Sequence, residues 1–244
     1  MFVLVELLNT EVSPLKQLKL HTMMMKSILG AGIIAFALFS CNPPDADKAL
    51  TTDAASVTTE GGISYTLDSS STVSWLGTKP TGKHNGTFAI SEGALLVKDN
   101  ALTGGSFTIN VASLTNNDLA SDADSKGKLE GHLKSPDFFD VAKYPSAKFE
   151  ITSVAPFVAD STSKDVVLKD ATHTISGNLT LKDSTKNISF PARVTVDANT
   201  AAATADFNID RTMWGMNYKG PDNPQDWVIS KTVNIQLRIA ATKK

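Results

Sequence analysis

Hydrophobic residues alternate with polar ones along most of the chain from Gly62 onward, and this pattern limits the fold more than any other feature of the sequence. The clearest example is the stretch 233–239, in which Val, Ile, Leu and Ile alternate with Asn, Gln and Arg. Alternation at a period of two predicts strands with one buried and one solvated face, as in antiparallel sheets. Asn234 is therefore expected on the surface. Short strands separated by Gly, Asp and Ser predict a sandwich or a barrel.

Three turns and one polar segment interrupt the alternation. We expect turns at Ser91–Gly93, Gly104–Gly105 and Lys182–Lys186, where small, flexible or charged residues separate apolar runs. The stretch from Leu114 to Tyr144 is polar and does not alternate, and it contains the expected helical segment, around 126–140.

Within the same polar region, three consecutive residues have the form of a helix start. Ser135 has the side chain of an N-cap, Pro136 suits the first helical position, and Asp137 suits the positive end of a helix dipole. Phe138 and Phe139 follow at once, so a short helix would carry two aromatic rings over one end of a barrel.

The N-terminal segment has the form of a secretory signal peptide. Lys26 provides a positive flank, and the apolar run 28–39 is too short to span a bilayer. Leu38–Cys41 (LFSC) resembles the bacterial lipobox, although Phe39 is bulkier than the usual residue. The resemblance implies that Cys41 is acylated and attaches the protein to a membrane.

Three ranges follow from this interpretation. Residues 1–40 are a signal peptide, within which 1–22 is interpreted as an upstream extension because Met23–Met25 directly precede the charged flank. Residues 41–61 are small, polar and without periodicity, which indicates a flexible, lipidated tether. Residues 62–244 form the folded domain.

Composition argues against several classes of function. The net charge of −2 gives no positive field for a nucleic acid, and a single Cys excludes an internal disulfide or a multi-Cys metal site. No G-x-S-x-G motif or acid/base pair indicates an enzyme, and no cofactor is expected.

The histidines and one arginine have structural interpretations. His84, His132 and His173 lack the spacing of metal ligands, so no metal site is expected. We expect His84 and His132 to fix loops by hydrogen bonds and His173 to lie inward or at an edge. Arg211 follows Asp210, which favours a structural salt bridge over a bond to a ligand headgroup.

Several motifs, in order from about Gly62 to the C-terminus, resemble the YceI-like family. They are 131–145 (GHLKSPDFFDVAKYP), 177–181 (GNLTL), 207–216 (FNIDRTMWGM), and Trp75 with 84–88 (HNGTF). Asp183 departs from the family, which has Gly at that turn. The resemblance implies an all-β, lipocalin-like, eight-stranded antiparallel barrel around a long apolar cavity. Members are secreted or periplasmic, and some bind polyisoprenoid chains or related amphiphiles.

Aromatic residues are the candidates for binding such a ligand. Ordinary core packing explains any one of them, but as a set inside a barrel they indicate a cavity lining. The predicted ligand-binding residues are Trp75, Phe88, Phe107, Phe138, Phe139, Phe149, Phe190, Phe207 and Trp214.

Two functions remain open at this point. The first is a non-enzymatic carrier lipoprotein that holds a polyisoprenoid, an isoprenoid quinone or a similar amphiphile. The second is a structural envelope lipoprotein whose barrel is packed solid and whose partner is another envelope protein. Either would be lipid-anchored in the bacterial cell envelope, periplasmic or associated with the outer membrane. A homodimer stays open as a further partner.

Overall fold

The structure, a computed structural model, describes four stretches of the chain: residues 45–57, 61–158, 168–219 and 228–244. The expected signal peptide over 1–40, including the extension over 1–22, and the lipidation site Cys41 lie outside the described residues. Among the helices that are described, none has the length and apolar character needed to cross a membrane.

Strands dominate the described stretches, with one α-helix and one short 3-10 helix. The strands are β1 (Asp47–Lys48), β2 (Leu50–Asp53), β3 (Ile63–Leu67), β4 (Thr72–Lys79), β5 (Gly82–Lys98), β6 (Ala101–Asn116), β7 (Ser146–Pro156), β8 (His173–Leu181), β9 (Ser184–Val196), β10 (Thr200–Asp210) and β11 (Thr232–Lys243). Helix α1 (Ala123–Lys134) lies between β6 and β7, and the 3-10 helix (Arg211–Trp214) lies between β10 and β11.

Strands β4 to β11 form a closed barrel. Each pairs antiparallel with the next strand along the chain, and β11 pairs back with β4. Strand β3 continues the position of β4, because it pairs with the same two neighbours farther along the sheet. The predicted eight-stranded antiparallel barrel is confirmed.

The barrel has two different ends. Helix α1, the 3-10 helix and the β4–β5 and β8–β9 turns lie at one end, which we call the helix end. The β5–β6 and β9–β10 turns lie at the other, which we call the far end. Alternation directs apolar side chains inward, and Ile188, Phe190 and Phe207 are among the least exposed residues.

The outer face is not uniformly solvated. Asn234, which alternation places outward on β11, is only 2% exposed. Its Nδ2 donates to Oδ1 of Asp206 at 2.7 Å and to Oδ1 of Asn208 at 3.2 Å. The expectation that Asn234 lies on the surface is wrong, because this amide network on β10 and β11 is itself buried.

Residues 47–53, expected within a flexible tether, are instead part of the sheet. β9 and β10 pair with each other only through Arg193–Val196 and Ala201–Thr204, and they separate toward the helix end. In that gap β1 pairs parallel with β10, and β2 pairs antiparallel with β9. Two separated strands leave unpaired backbone groups that need partners. This requirement explains why a segment without hydrophobic alternation is ordered.

Two of the predicted turns are wrong. Ser91–Gly93 lies within β5, at a shift of register against β6, and Gly104–Gly105 lies within β6. The hairpin turn is instead at Asp99 and Asn100, which have φ of 52° and 58°. Gly105, with φ of 145°, allows the strands to approach closely, because a Cβ there would lie 2.6 Å from the carbonyl oxygen of Ala94.

The third predicted turn is present in a shorter form. β8 ends at Leu181 and β9 begins at Ser184, so the turn within Lys182–Lys186 consists of Lys182 and Asp183. Lys182 has φ of 55°, in the left-handed region. The departure from the family pattern at Asp183 thus falls in a tight turn that the chain still forms.

Helix α1 lies earlier than the predicted segment around 126–140. Its N-cap is Asp122, whose side chain accepts a hydrogen bond from the backbone N–H of Ser125 at 3.0 Å. Ser135 is the C-cap and not the N-cap, because Pro136 disfavours helical backbone at the residue before it. The chain then makes a turn in which the N–H of Phe138 donates to the carbonyl oxygen of Ser135 at 3.1 Å.

Candidate functional site

The barrel encloses an apolar cavity of about 400 Å³ that extends to the helix end. Every strand from β4 to β11 contributes side chains to its wall. The wall consists of the inward-facing residues of strands in which apolar and polar residues alternate. The sequence pattern that forms the barrel therefore also makes the cavity hydrophobic.

Most of the aromatic residues predicted to bind a ligand line this cavity. Those that do are Trp75, Phe88, Phe107, Phe138, Phe139, Phe149, Phe190 and Phe207. The structure therefore brings together residues from six strands and from the turn after α1. Their role in binding stays a prediction, but their common position on the cavity wall is established.

Trp214 is the exception. It belongs to the 3-10 helix, is 1% exposed and does not line the cavity. Its Nε1 donates to the carbonyl oxygen of Leu179 on β8 at 3.0 Å, so the ring anchors the 3-10 helix to the barrel wall. The prediction that Trp214 lines the ligand cavity with the other aromatic residues is wrong, because this bond to Leu179 holds the ring outside the cavity lining.

Four rings form a row across the barrel, which we call the phenylalanine layer: Phe107, Phe149, Phe190 and Phe207. Neighbouring ring centroids are 5.4 Å apart for Phe107 and Phe149, and 5.9 Å apart for Phe149 and Phe190. Phe190 and Phe207 stack at 4.0 Å with planes 10° apart. The layer joins four different strands and bounds the cavity on the side of the far end.

A second aromatic group closes much of the helix end. Phe139 contacts Phe88 edge to face at 5.5 Å. The His132 ring lies edge-on to both Phe138 and Tyr218, with centroid distances of 5.2 and 4.7 Å. These contacts connect α1 with the segment that follows the 3-10 helix, so the end of the cavity is formed by two elements that are distant in sequence.

Arg211 organises the segments around the helix end. Its guanidinium and Nε donate to the carbonyl oxygens of Met216, Tyr218, Ile229 and Ser230. Burial lowers the pKa of Arg211, and the neighbouring Asp210 charge opposes that shift. The favoured salt bridge is not what the structure shows, since Asp210 pairs with Lys231 instead, at 3.1 Å.

Polar groups occur at the cavity wall near this end. Lys79, Lys219 and His132 line the cavity. Within the described residues, Nε1 of Trp75 and Oγ1 of Thr78 are the buried side-chain atoms without a hydrogen-bond partner, and both residues also belong to the lining. An unpaired buried donor costs about 1–3 kcal/mol, so this wall favours an occupant with a hydrogen-bond acceptor.

His84 on β5 and His132 on α1 make the hydrogen bonds expected of them, each to an aspartate in a loop. His132 Nε2 lies 3.0 Å from Oδ2 of Asp137, and His84 Nδ1 lies 2.8 Å from Oδ2 of Asp118. Burial alone would raise the pKa of Asp118, but hydrogen bonds from Asn85, His84 and Asn116 outweigh it and lower that pKa. His173 is half-buried at the start of β8, as expected.

Sequence reasoning missed several lining residues. Tyr218 and Lys219 follow the 3-10 helix, where no periodicity indicates which side chains reach the cavity. Aliphatic residues such as Ile109, Leu179 and Ile209 also form the wall. Their alternation identifies them as inward-facing, so the strand pattern, and not aromatic character, is what indicates that they line the cavity.

No group of three or more His, Cys, Asp or Glu side chains within the described stretches is arranged to hold a metal ion. The chemistry of the cavity is instead that of an apolar container with polar groups at one end.

Comparisons with known proteins agree with this architecture. The sequence profile of the YceI-like domain family matches residues 65–241. BcnA from Burkholderia cenocepacia is 20% identical with a TM-score of 0.55, covering 72% of this chain and 99% of its own. A polyisoprenoid-binding domain from Saccharophagus degradans is 15% identical with a TM-score of 0.52, covering 75% and 99%. At these identities the similarity shows the fold alone. Comparison with curated sequences gives no significant match.

Proposed function

The chain belongs to the YceI-like family, and we propose that it is a non-enzymatic carrier that holds a long apolar ligand in the barrel. The ligand class is a polyisoprenoid, an isoprenoid quinone or a similar amphiphile. The Saccharophagus degradans domain, described as polyisoprenoid-binding, has the same fold and supports this class.

The cavity is the observation that carries the proposal. A barrel packed solid, as the structural alternative requires, would leave no internal volume, whereas about 400 Å³ is enclosed here. Burial of an apolar chain contributes about 0.8 kcal/mol per CH₂, before the entropy of ordering the chain is subtracted. The charged and unpaired polar groups near the helix end suit the head of an amphiphile whose tail lies deeper.

Organic extraction of the purified protein, followed by mass spectrometry, tests the proposal. We expect a stoichiometric long-chain lipid in the wild type. Phe190→Asp introduces a carboxylate into the cavity, where ionisation is strongly penalised, and the folded variant should lose most of the lipid. Thr195→Asp, on the exposed side of the same strand, is the matched control and should retain it.

The carrier would be excluded by one combination of results. Wild-type protein that yields no lipid on extraction, and that also shows no affinity for added prenyl alcohols or quinones, does not use its cavity as proposed. Circular dichroism of each variant establishes that a loss of lipid is not a loss of the fold.

We also propose that acylated Cys41 anchors this carrier in the bacterial cell envelope, at the periplasmic side or the outer membrane. The support is the lipobox-like sequence Leu38–Cys41. Strand β1 begins at Asp47, and an extended chain spans at most about 3.3–3.6 Å per residue. The barrel would therefore stay within about 20 Å of the membrane surface.

Fractionation of cells tests the anchor. Cys41→Ala should move the protein from the membrane fraction to the soluble fraction and leave the barrel folded. Ser40→Ala keeps a small residue before the cysteine and should remain with the membrane. If Cys41→Ala protein stays membrane-bound after a salt wash, the acylation proposal is wrong.

A further inference from the structure

We infer that the phenylalanine layer sets the length of the apolar chain that the barrel accepts. The inference rests on the proposed carrier function and adds to it a size class for the ligand. It assigns Phe107, Phe149 and Phe190 the role of specificity-determining residues, because they form the floor against which the end of a bound chain would stop.

Two separate voids locate the floor. Beyond the large cavity lies a second void of about 30 Å³, bounded among others by Leu95, Ile175 and Ala205 near the far end. Phe107, Phe149 and Phe190 line both voids, together with Leu237 of β11. Since the same three rings bound one void from below and the other from above, the layer is the partition between them.

Neighbouring contacts hold the partition in place. Phe149 packs directly on Gly177, where a Cβ would lie only 2.3 Å from Cζ of the ring. Phe190 is stacked on Phe207, and the rings of the layer are at most 5% exposed. A ring that leaves the layer for the cavity loses its ring contacts with its neighbours, and a ring pushed toward the far end meets a void of only about 30 Å³. The layer therefore behaves as a fixed floor and not as a gate.

The volume above the floor gives the capacity. A cavity of about 150 Å³ binds benzene, which corresponds to about 25 Å³ per carbon atom. By the same measure a cavity of about 400 Å³ holds about 16 carbon atoms. That is about three isoprene units, or one acyl chain of similar length. Further carbon atoms would remain outside the helix end, where they gain little from burial.

Binding of a series of prenyl alcohols to the full chain, stripped of copurified lipid, tests the inference. Geraniol, farnesol and geranylgeraniol have 10, 15 and 20 carbon atoms (about two to four isoprene units) and share one headgroup. We expect affinity to rise at least about tenfold from geraniol to farnesol and less than about threefold from farnesol to geranylgeraniol, because only the first extension is buried.

Shortening one ring of the floor should change the length dependence. Phe190→Ala joins the two voids, and geranylgeraniol should then bind at least about fivefold tighter than farnesol. Phe190→Leu removes fewer atoms and keeps the test available if the alanine variant does not fold. Val194→Ala is the matched control, because Val194 is a buried residue of the same strand that lines neither void.

The outcomes separate this inference from the proposed function. If affinity climbs as steeply from farnesol to geranylgeraniol as from geraniol to farnesol, the floor does not set length, although the protein is a carrier. A length dependence that Phe190→Ala and Phe190→Leu leave unchanged also overturns the role of the layer. Failure of all three alcohols to bind overturns the length rule, and it overturns the carrier function as well if the wild type yields no lipid on extraction and binds no quinone.

Discussion

Asp210 shows how one side chain holds the end of the cavity. Its Oδ1 accepts hydrogen bonds from the backbone N–H of Thr212 at 3.0 Å and from the Thr212 hydroxyl at 2.6 Å, and it caps the 3-10 helix. Burial would raise the pKa of Asp210, but the bonds from Thr212 and Lys231 outweigh it and lower that pKa. The carboxylate thus fixes the helix from which the Arg211 guanidinium reaches four carbonyl oxygens.

Asp210→Ala should lower the free energy of unfolding at pH 7 by about 1 kcal/mol, the typical value of a capping side chain. Because the pKa of Asp210 is lowered on folding, its contribution is fully present above the unfolded-state pKa. The contribution is lost as pH falls through the lower, folded-state value. The difference in urea unfolding between wild type and variant should therefore begin to narrow below about pH 4. A difference that stays constant from pH 7 to pH 3 would show that the charge is not what stabilises the segment.

At the scale of elements, β1 and β2 supply the backbone pairing that β9 and β10 lack where they separate. They fill the gap between β9 and β10, and Asn178 Nδ2 continues the attachment by donating to the carbonyl oxygen of Ala55 at 2.7 Å. Lys186 adds an ion pair to Asp53 at 3.0 Å, but Asp53 is almost fully exposed, so the ion pair adds little. Backbone pairing and the burial of Ala49, which is 3% exposed, therefore hold this segment on the barrel.

Replacing both Thr51 and Thr52 of β2 with proline should detach this strand. Proline removes backbone donors and is not accommodated within a paired strand. We expect a loss of about 3 kcal/mol in the free energy of unfolding. Hydrogen exchange should quicken at Lys186–Ser189, which pair with β2, and not at Thr174–Gly177 of β8. Alanine at the same two positions keeps the donors and serves as control. Unchanged exchange in the proline variant would mean that β9 does not depend on this pairing.

The contrast between elements explains how much the sequence could predict. The inward positions of β8 and β11 follow from alternation, because in a strand with one buried face the local sequence alone determines which side chains point inward. Strands β1 and β2 carry no such signal. They are ordered because they pair with the free edges of β9 and β10, which are far away in sequence. The bulged stretch of β5 resembled a turn because it contains Gly93. A Cβ at this position would lie 2.5 Å from Cβ of Phe107, so the glycine allows β5 and β6 to approach closely and does not reverse the chain.

The same distinction applies to the candidate site. Phe149 and Phe190 could be placed inward from parity alone, and closure of the barrel brings them together. Trp214 and Tyr218 could not be placed, because they lie on a 3-10 helix and on the chain after it. Their positions depend on hydrogen bonds to Leu179 and Arg211. These are tertiary contacts, and no periodic pattern in the sequence indicates them.

At the scale of the whole molecule, the ligand would be part of the folded state. A ligand that binds only the native protein stabilises it by about 2.7 kcal/mol at one hundred times its Kd. For a chain of this size that corresponds to a rise in Tm of about 5–10 °C. Protein stripped of lipid should therefore melt at a lower temperature, and added farnesol should restore the difference. Prenol, with a single isoprene unit, is the control and should leave Tm unchanged. An equal Tm with and without farnesol would contradict occupation of the cavity.

The paired N-terminal segment also has a mechanical consequence. β1 runs parallel to β10, and the chain enters it from the far-end side. Tension that pulls the chain before Asp47 toward the far end acts along the strand axis, so the hydrogen bonds of β1 and β2 then share the load in shear and do not break one after another. A force on the N-terminal chain is therefore transmitted to the barrel wall through β1 and β2, at the place where β9 and β10 separate.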